Sequence, residues 1–271
     1  MKDVKHYLRK QYFPHIWCSG CGNGISLRSI LVAIDSLGLD KDKVTVVSGI
    51  GCSSRSAGYV DFNTLHTAHG RAIPFATGVK FANPNMTVIV ITGDGDCSAI
   101  GGNHLIHAAR RNIDLSVIVF NNSTYGMTSG QYSPTTPFGF WGTTAPYGNV
   151  ERPFDLCKLV ESAGATYVAR GTSYHARQLP GYIEKAIQNK GFSFIDVITG
   201  CPTYFGRKNK IGGPVEMLQW QRDNAITIKD AKTSPPDKSI GKFVIGEFVN
   251  MSSQEYCEAY QKVIEKAQGK A

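Results

Sequence analysis

No apolar run in the 271 residues approaches the length of a membrane span, and the amino terminus, MKDVKHYLRKQ, has no hydrophobic stretch behind its charges. A spanning helix needs about 20 such residues, so the sequence reads as a soluble, cytoplasmic chain without a secretion signal. Internal repeats and low-complexity tracts are lacking too, and nothing looks like a nucleic-acid-binding module, although 29 Lys and Arg against 21 Asp and Glu leave a formal net charge of +8. The basic residues are mostly scattered, which favours an acidic protein partner over nucleic acid or membrane. An even set of cysteines is also absent. Seven, in a chain without a signal peptide, argue against a purely disulfide framework and make metal binding the leading idea. What the chain has, with 42% hydrophobic residues, is enough apolar material for one substantial α/β core and an appended segment.

The most informative stretch runs over 87–128. Residues 88–91, Val-Ile-Val-Ile, predict a strand buried on both faces of a parallel sheet. Gly93-Asp94-Gly95-Asp96 breaks it, residues 99–111 have helical character, and 115–120 predict a second buried strand ending in Asn121-Asn122. Ligands of open parallel sheets bind beyond the carboxyl ends of the strands, so Asp94 and Asn122 can lie side by side. A carboxylate, an amide oxygen and a main-chain carbonyl suit a hard cation such as Mg²⁺, and the glycines allow the backbone close to a diphosphate. Taken singly, each half is a commonplace turn; paired across a βαβ unit they point to a metal–diphosphate site.

Upstream, QYFPHIWCSGCGNG places Cys18 and Cys21 in a glycine-rich C-x-x-C, a spacing used by redox dithiols, zinc sites and iron–sulfur sites alike. The Gly-Cys-Gly-Asn-Gly within it imitates a dinucleotide fingerprint, but no strand precedes it. An amphipathic helix over 25–37 and a strand over 44–48 follow. That strand ends in Gly49-Ile50-Gly51-Cys52, then Arg55, which puts a third cysteine on the same sheet edge as Asp94. His69-Gly70-Arg71 precedes a helix running to about residue 82; in isolation His69 is an ordinary loop histidine. Residues 132–150 predict a long loop, of the kind that is usually functional. A helix begins at 156 and is ended by Gly164, strands lie over 167–169 and 194–198, and a helix over 175–188 has Pro180 near its start or breaking it. The last core strand leads to Gly200-Cys201-Pro202, a fourth strand-end cysteine. Cys97, Cys157 and Cys257 are assigned to packing. From Gly206 the sheet pattern stops: a basic run from Arg207 to Lys210, a loop over 229–242, a strand over 242–249, and a helix with a Ser252/Glu255 capping box. The expected division is a domain at 1–205 and a C-terminal extension at 206–271 that wraps a partner.

Gly93-Asp94-Gly95 followed 28 positions after Asp94 by Asn122 resembles the thiamine-diphosphate (ThDP) enzymes. The second acid at Asp96, the tract Tyr125-Gly126-Met127-Thr128-Ser129-Gly130-Gln131 and Ser133-Pro134-Thr135-Thr136 resemble the β subunits of the 2-oxoacid:ferredoxin oxidoreductases. The resemblance implies a doubly wound, mostly parallel sheet of the ThDP-binding type. It implies Asp94, Asn122 and the Thr124 carbonyl as Mg²⁺ ligands, and Gly51, Cys52, His69, Gly93, Gly95, Asp96, Tyr125, Gly126, Met127 and Thr128 around ThDP. Cys18, Cys21, Cys52 and Cys201 match the family's ligands for one [4Fe–4S] cluster. Buried packing cysteines or a structural zinc site are the alternatives.

The reaction so implied joins a 2-oxo acid to CoA, releases CO₂ and reduces ferredoxin. Tyr125-Gly126-Met127-Thr128 looks most like the 2-oxoglutarate members; pyruvate and branched-chain acids stay open. Arg55 is a candidate for the substrate carboxylate, with a solvated arginine or a charge partner for the cluster as the plainer readings, and His69 for a place near the diphosphate. Family enzymes use a glutamate from an aminopyrimidine-binding domain, and this chain has room for only one doubly wound domain. The active site is therefore expected at an interface with a separate α subunit. Two readings from other classes remain, a non-redox ThDP lyase and a zinc-stabilised interaction subunit.

Overall fold

The computed structural model describes residues 3–233, 235 and 241–269. Among them the strands are β1 (Val44–Ser48), β2 (Asn63–His66), β3 (Thr87–Gly93), β4 (Leu115–Asn121), β5 (Tyr167–Thr172), β6 (Phe192–Ile198), β7 (Ala225–Thr227) and β8 (Phe243–Asn250). They form one sheet in the order β2-β1-β3-β4-β6-β5-β8-β7. All pairings from β2 across to β5 are parallel, and β8 joins β5 antiparallel. β1 and β4 are buried at every residue, as their β-branched and aromatic runs require of strands covered on both faces.

Helices cover the two faces. α1 (Asn23–Ser36) and α6 (Leu179–Gln188) bury Leu27, Ile30, Leu31, Ile34 and Ile183 on one side, while α2 (Ser56–Tyr59) lies beyond the end of β1. α3 (Ala72–Ala82), α4 (Gly102–Arg110) and α5 (Leu156–Ala163) bury Ile73, Ala76, Leu105, Ala108 and Val160 on the other. The expected doubly wound α/β fold is the one observed. From β1 the chain turns outward to β2, then crosses to β3 on the opposite side. The crevice between the loops after β1 and β3 is thus a topological switch point, where such sheets bind ligands.

The structure amends several expectations. The sheet does not stop at Gly206: β8 returns to its edge, where Phe248 lies 5.4 Å beneath the Arg170 guanidinium. This is the strand expected over 242–249, lying between β5 and β7. β2, at the other edge of the sheet, escaped notice because it is half-exposed throughout and lacks a continuous apolar run. The helix after Asp96 begins at Gly102 because residues Asp96–Ile100 form a wider helical turn. α6 starts at Leu179 with Pro180 in its first turn, where a missing N–H costs little. After α7 (Pro214–Asn224), the loop expected over 229–242 opens with α8 (Ile228–Thr233). Residues 234 and 236–240 of that loop lie outside the described residues. The C-terminal helix, Tyr256–Ala267, is capped by Glu255 and not Ser252: the Glu255 carboxylate accepts from the N–H of Glu258 at 2.9 Å and of Asp114 at 3.1 Å.

Candidate functional site

Asp94 follows β3 directly, and β3 pairs in register with β4, Gly93 opposite Phe120. The pairing brings Asp94 and Asn122 together despite their sequence separation: the Asn122 N–H points at Asp94 Oδ1 at 3.4 Å. Asp94 is 2% exposed. Its other oxygen, Oδ2, accepts from the Ser133 hydroxyl at 2.5 Å and the Thr135 hydroxyl at 2.7 Å. Burial pushes the carboxyl up to about 6, with the two hydroxyls and the Asn122 N–H opposing the shift only in part. These donors to the carboxylate, two hydroxyls and a main-chain N–H, are all neutral. A buried carboxylate with neutral donors and a raised pKa suits a cation, which could replace the proton.

The loop after β4 is held beside this carboxylate. Ser123 takes a left-handed φ of 56°, uncommon for a residue with a side chain. It is pinned by Asn121 Oδ1, which accepts its N–H at 3.3 Å, and by the Thr136 hydroxyl, which donates to its carbonyl at 2.7 Å. Beyond it the chain folds back, Tyr125 N–H to Gln131 carbonyl at 3.0 Å, which presents Thr124 and residues 125–128 beside Asp94.

Asp96, two residues on, does something different. Its carboxylate, 3% exposed, accepts from the Thr92 hydroxyl at 2.7 Å, the Gly70 N–H at 2.7 Å and the Ile50 N–H at 3.3 Å, and meets His69 Nδ1 at 2.5 Å. One carboxylate thereby ties together the ends of β1 and β3 and the entry to α3. A side chain at Gly49 would drive a Cβ to within 2.0 Å of Asp96 Oδ2, and one at Gly95 would meet the Tyr125 ring at 2.3 Å. Both glycines are required by close approach.

All the residues expected around the diphosphate line one cavity of about 170 Å³, from Gly51 and Cys52 through His69 and Asp94 to Thr128; Asn23, Ile50, Ser53 and Phe120 join them. Arg55 lines neither this cavity nor the next. Its Nε is buried without a hydrogen-bond partner among the described residues.

The second cavity, about 240 Å³, gathers Cys18, Cys21, Cys52 and Cys201 from three separate places in the chain, with Trp17 and Tyr204 in its wall. The Trp17 indole N–H donates to the Cys52 carbonyl at 2.7 Å. Burial raises the thiols, Cys21 to about 12 and Cys52 to about 11, and the other cysteines of the set add to this by charge repulsion. Main-chain N–H groups oppose it, from Asn23 toward Cys21 and from 203–205 toward Cys201. Burial raises three of the thiols, those of Cys21, Cys52 and Cys201, and amides are aimed at two of these sulfurs, an arrangement that suits a body whose metal ions draw off the protons. Among the described residues no group of three or more His, Cys, Asp or Glu is placed to hold a single metal ion. Four sulfurs lining 240 Å³ suit a polynuclear cluster, whose bulk separates its thiolate ligands. Cys97 and Cys157 lie in the opposite core, Cys257 packs against it, and none lines either cavity.

The two cavities share a wall made of Cys52, Asn122, Gly126 and Met127. A Cβ on Gly126 would come within 3.5 Å of Cys52 Sγ, 3.6 Å of Cys201 Sγ and 3.7 Å of Asn122 Nδ2. Sequence reasoning missed Asn23 and the hydroxyl grip of Ser133 and Thr135 on Asp94. Two hydroxyl residues bracketing Pro134 in an otherwise aperiodic loop were the available signal for the latter; for Asn23 there was none.

Comparison with known proteins follows this geometry. Residues 49–197 match the thiamine pyrophosphate enzyme family's C-terminal TPP-binding domain. The 2-oxoglutarate synthase subunit KorB of Methanothermobacter thermautotrophicus is 54% identical over 98% of this chain and 93% of its own length. That of Methanocaldococcus jannaschii is 52% identical over 98% of each chain. Among solved structures, the 2-oxoglutarate:ferredoxin oxidoreductase from Magnetococcus marinus, with 2-oxoglutarate, coenzyme A and succinyl-CoA bound, superposes with a TM-score of 0.87 at 33% identity, covering 100% of this chain and 92% of that one.

Proposed function

This chain belongs to the β subunits of the 2-oxoacid:ferredoxin oxidoreductases, and from that membership we propose how its two cavities divide the work. It is the ThDP-binding subunit of an enzyme that converts 2-oxoglutarate and CoA to succinyl-CoA and CO₂. One electron passes to each of two ferredoxins and one proton is released. A cytoplasmic location accords with those reactants.

When bound, ThDP supplies a carbon nucleophile for the 2-oxo group and a store for the electron pair left by CO₂, and a [4Fe–4S] cluster accepts those electrons singly. The chain's own residues do the rest. Asp94, Asn122 and the Thr124 carbonyl would hold Mg²⁺ on the diphosphate; the donor set is hard oxygen, and the raised carboxyl of Asp94 calls for a cation. Gly51, Gly93 and Gly95 admit the diphosphate to the backbone. Asp96 holds His69, with Tyr125 in edge contact at 6.2 Å, against the same cavity. Cys18, Cys21, Cys52 and Cys201 would carry the cluster. Arg55, with its buried and unpartnered Nε, is the candidate to meet a carboxylate of substrate arriving from the α-subunit side.

The observation that carries this reading is the shared wall. A site for two-electron chemistry and a site for one-electron transfer are separated by single residues such as Gly126, which leaves a short path between them. The α subunit completes the site, and the segment from 206 onward is a surface for it.

The test is an anaerobically purified αβ complex. It should contain iron, acid-labile sulfide and ThDP, and reduce ferredoxin only when 2-oxoglutarate and CoA are both present. This chain alone should not turn over, because the glutamate that deprotonates the cofactor is expected on the partner. Absence of iron and sulfide from an active complex would instead support a non-redox lyase; faster turnover of pyruvate or a branched-chain acid would reassign the substrate.

A further inference from the structure

Asn23 is 1% exposed, yet neither its side-chain nitrogen nor its side-chain oxygen has a hydrogen-bond partner among the described residues. A buried amide left unpaired at both ends is uncommon and costly. Its side chain does not cap the helix it begins: the N-cap of α1 is Gly22, and no side-chain cap bond forms there. The amide lines the cavity that holds Asp94 and Asn122. The main-chain N–H of the same residue points at the Cys21 sulfur in the neighbouring cavity. Asn23 is also the first residue of a 14-residue helix, whose N-terminal amides and positive dipole end favour negative charge.

We infer that Asn23 is an anchor shared by the two cofactors, its main-chain N–H given to a cluster-bearing sulfur and its side-chain Nδ2–H donated to an anionic oxygen of the diphosphate. The inference rests on the functional reading above and adds to it a positioning residue that couples the two sites. Both donors belong to one rigid helix start, so filling the diphosphate cavity shifts the amide that serves the Cys21 sulfur. The cluster should therefore sense ThDP through this residue.

The experiment uses the complete αβ complex, prepared anaerobically, with Asn23→Ala, Asn23→Ser and Asn23→Asp. ThDP affinity is read by titration of intrinsic fluorescence, the cluster by iron content and by the electron paramagnetic resonance of its reduced form. Asn23→Ala should bind ThDP about tenfold more weakly, as expected for one hydrogen bond to a charged group. Asn23→Asp should be weaker still, because a carboxylate would face the diphosphate. Asn23→Ser, with a shorter donor, should fall between wild type and Asn23→Ala. Iron content should stay at the wild-type level in all three, and the change in the resonance on adding ThDP should be present in wild type and lost in Asn23→Ala. ThDP affinities of Asn23→Ala and Asn23→Asp within about twofold of wild type would overturn the inference. So would loss of both iron and ThDP from all three variants, which would make Asn23 a folding residue. A wild-type complex that binds no ThDP would overturn the functional reading instead, so the two failures are separable.

Discussion

Two carboxylates of this sheet are almost equally buried and could hardly be more differently provided for. Asp196 in β6, 1% exposed, meets the Arg170 guanidinium at 2.8 Å and the Asn121 amide at 3.0 Å, and Arg170 in turn reaches Asp155 at 2.5 Å. Asp94 at the end of β3, 2% exposed, meets neutral hydroxyls and a main-chain N–H. The first carboxylate has its cation built into the chain; the second is pushed up by burial and must take a proton or a metal ion. A buried acid that brings its own countercharge is structural. One that is held in place but left uncompensated is part of a site.

That contrast breaks most sharply by exchanging the failures. Asp94→Ala should weaken Mg²⁺–ThDP retention by at least about a hundredfold while cluster absorbance and melting temperature hold, since no native cation is left stranded. Asp196→Ala should do the reverse. It removes one of the two carboxylates paired with a buried guanidinium, leaving Asp155, and should cost up to about 3 kcal/mol of stability, measured by denaturant unfolding, with ThDP affinity unchanged in whatever protein folds. If Asp94→Ala melts the chain, or still retains ThDP at wild-type stoichiometry, the two acids are not the opposites described.

The cysteines offer the same contrast with a softer group. Cys157, in α5, is buried in the apolar core, whereas Cys201 is buried but opens onto the four-thiol cavity. Cys201→Ala should lower iron content several-fold, and Cys157→Ala should leave it unchanged. Equal losses would mean that burial, and not the cavity, decides which thiols bear metal.

How much of this was legible beforehand follows from what each residue type advertises. β1, β3, β4 and β6 were visible because β-branched runs buried on both faces leave a continuous apolar trace. β2 and β7 were not, since these edge strands are short and half-exposed; β8 was visible as a strand but not as part of the sheet. Asp94, Asn122, Cys52 and Cys201 stood out because glycines and chemistry-bearing side chains closed each strand, and Cys18 and Cys21 because of their C-x-x-C spacing. Asn23 and Arg170 could not be read in the same way: whether a polar residue is buried, and who meets it, depends on contacts across 26 to 48 positions of chain, as between Arg170 and Asp196 or Ser173 and Gln221. Asp96 was legible as a site residue, but its loop-joining hydrogen bonds were not. Expected beside ThDP, it lines that cavity, and its carboxylate also joins three loops.

A pH series sharpens the comparison at smaller amplitude. With Asp94 near 6, its proton competes with the cation, so Mg²⁺–ThDP affinity should fall about tenfold per pH unit below 6 and level off above it. For stability without cofactor the sign is opposite. The folded state holds this proton more tightly than the unfolded chain, so the contribution of Asp94 is present in acid and lost as pH rises through about 6. Asp94→Asn should abolish both slopes. A flat affinity between pH 5 and 7, a range set by the folded value of about 6, would remove Asp94 from the cation site.

The smallest effect is expected where the charge is exposed and unpaired by design. Arg207 and Lys208 follow the helical turn Pro202–Gly206 that starts at Cys201, and the Arg207 N–H bonds the Pro202 carbonyl at 3.1 Å, so the basic run is fixed close to the thiol cavity. Lys208 reaches over the Trp141 ring at 5.2 Å, and Asn209 Oδ1 accepts the Trp141 N–H at 2.7 Å, which ties the run to the long loop. An acidic electron acceptor gains more in encounter rate from such a patch than in affinity. Reversing Arg207 and Lys208 to Glu should slow ferredoxin reduction several-fold at low salt, and the defect should shrink as salt shortens the screening length to about 8 Å. Reduction of a small neutral dye should not change, since a neutral dye is not steered by the patch. If dye and ferredoxin rates fall together, the run serves contact with the α subunit or folding of the loop around Trp141, and electron exit must be sought at another face.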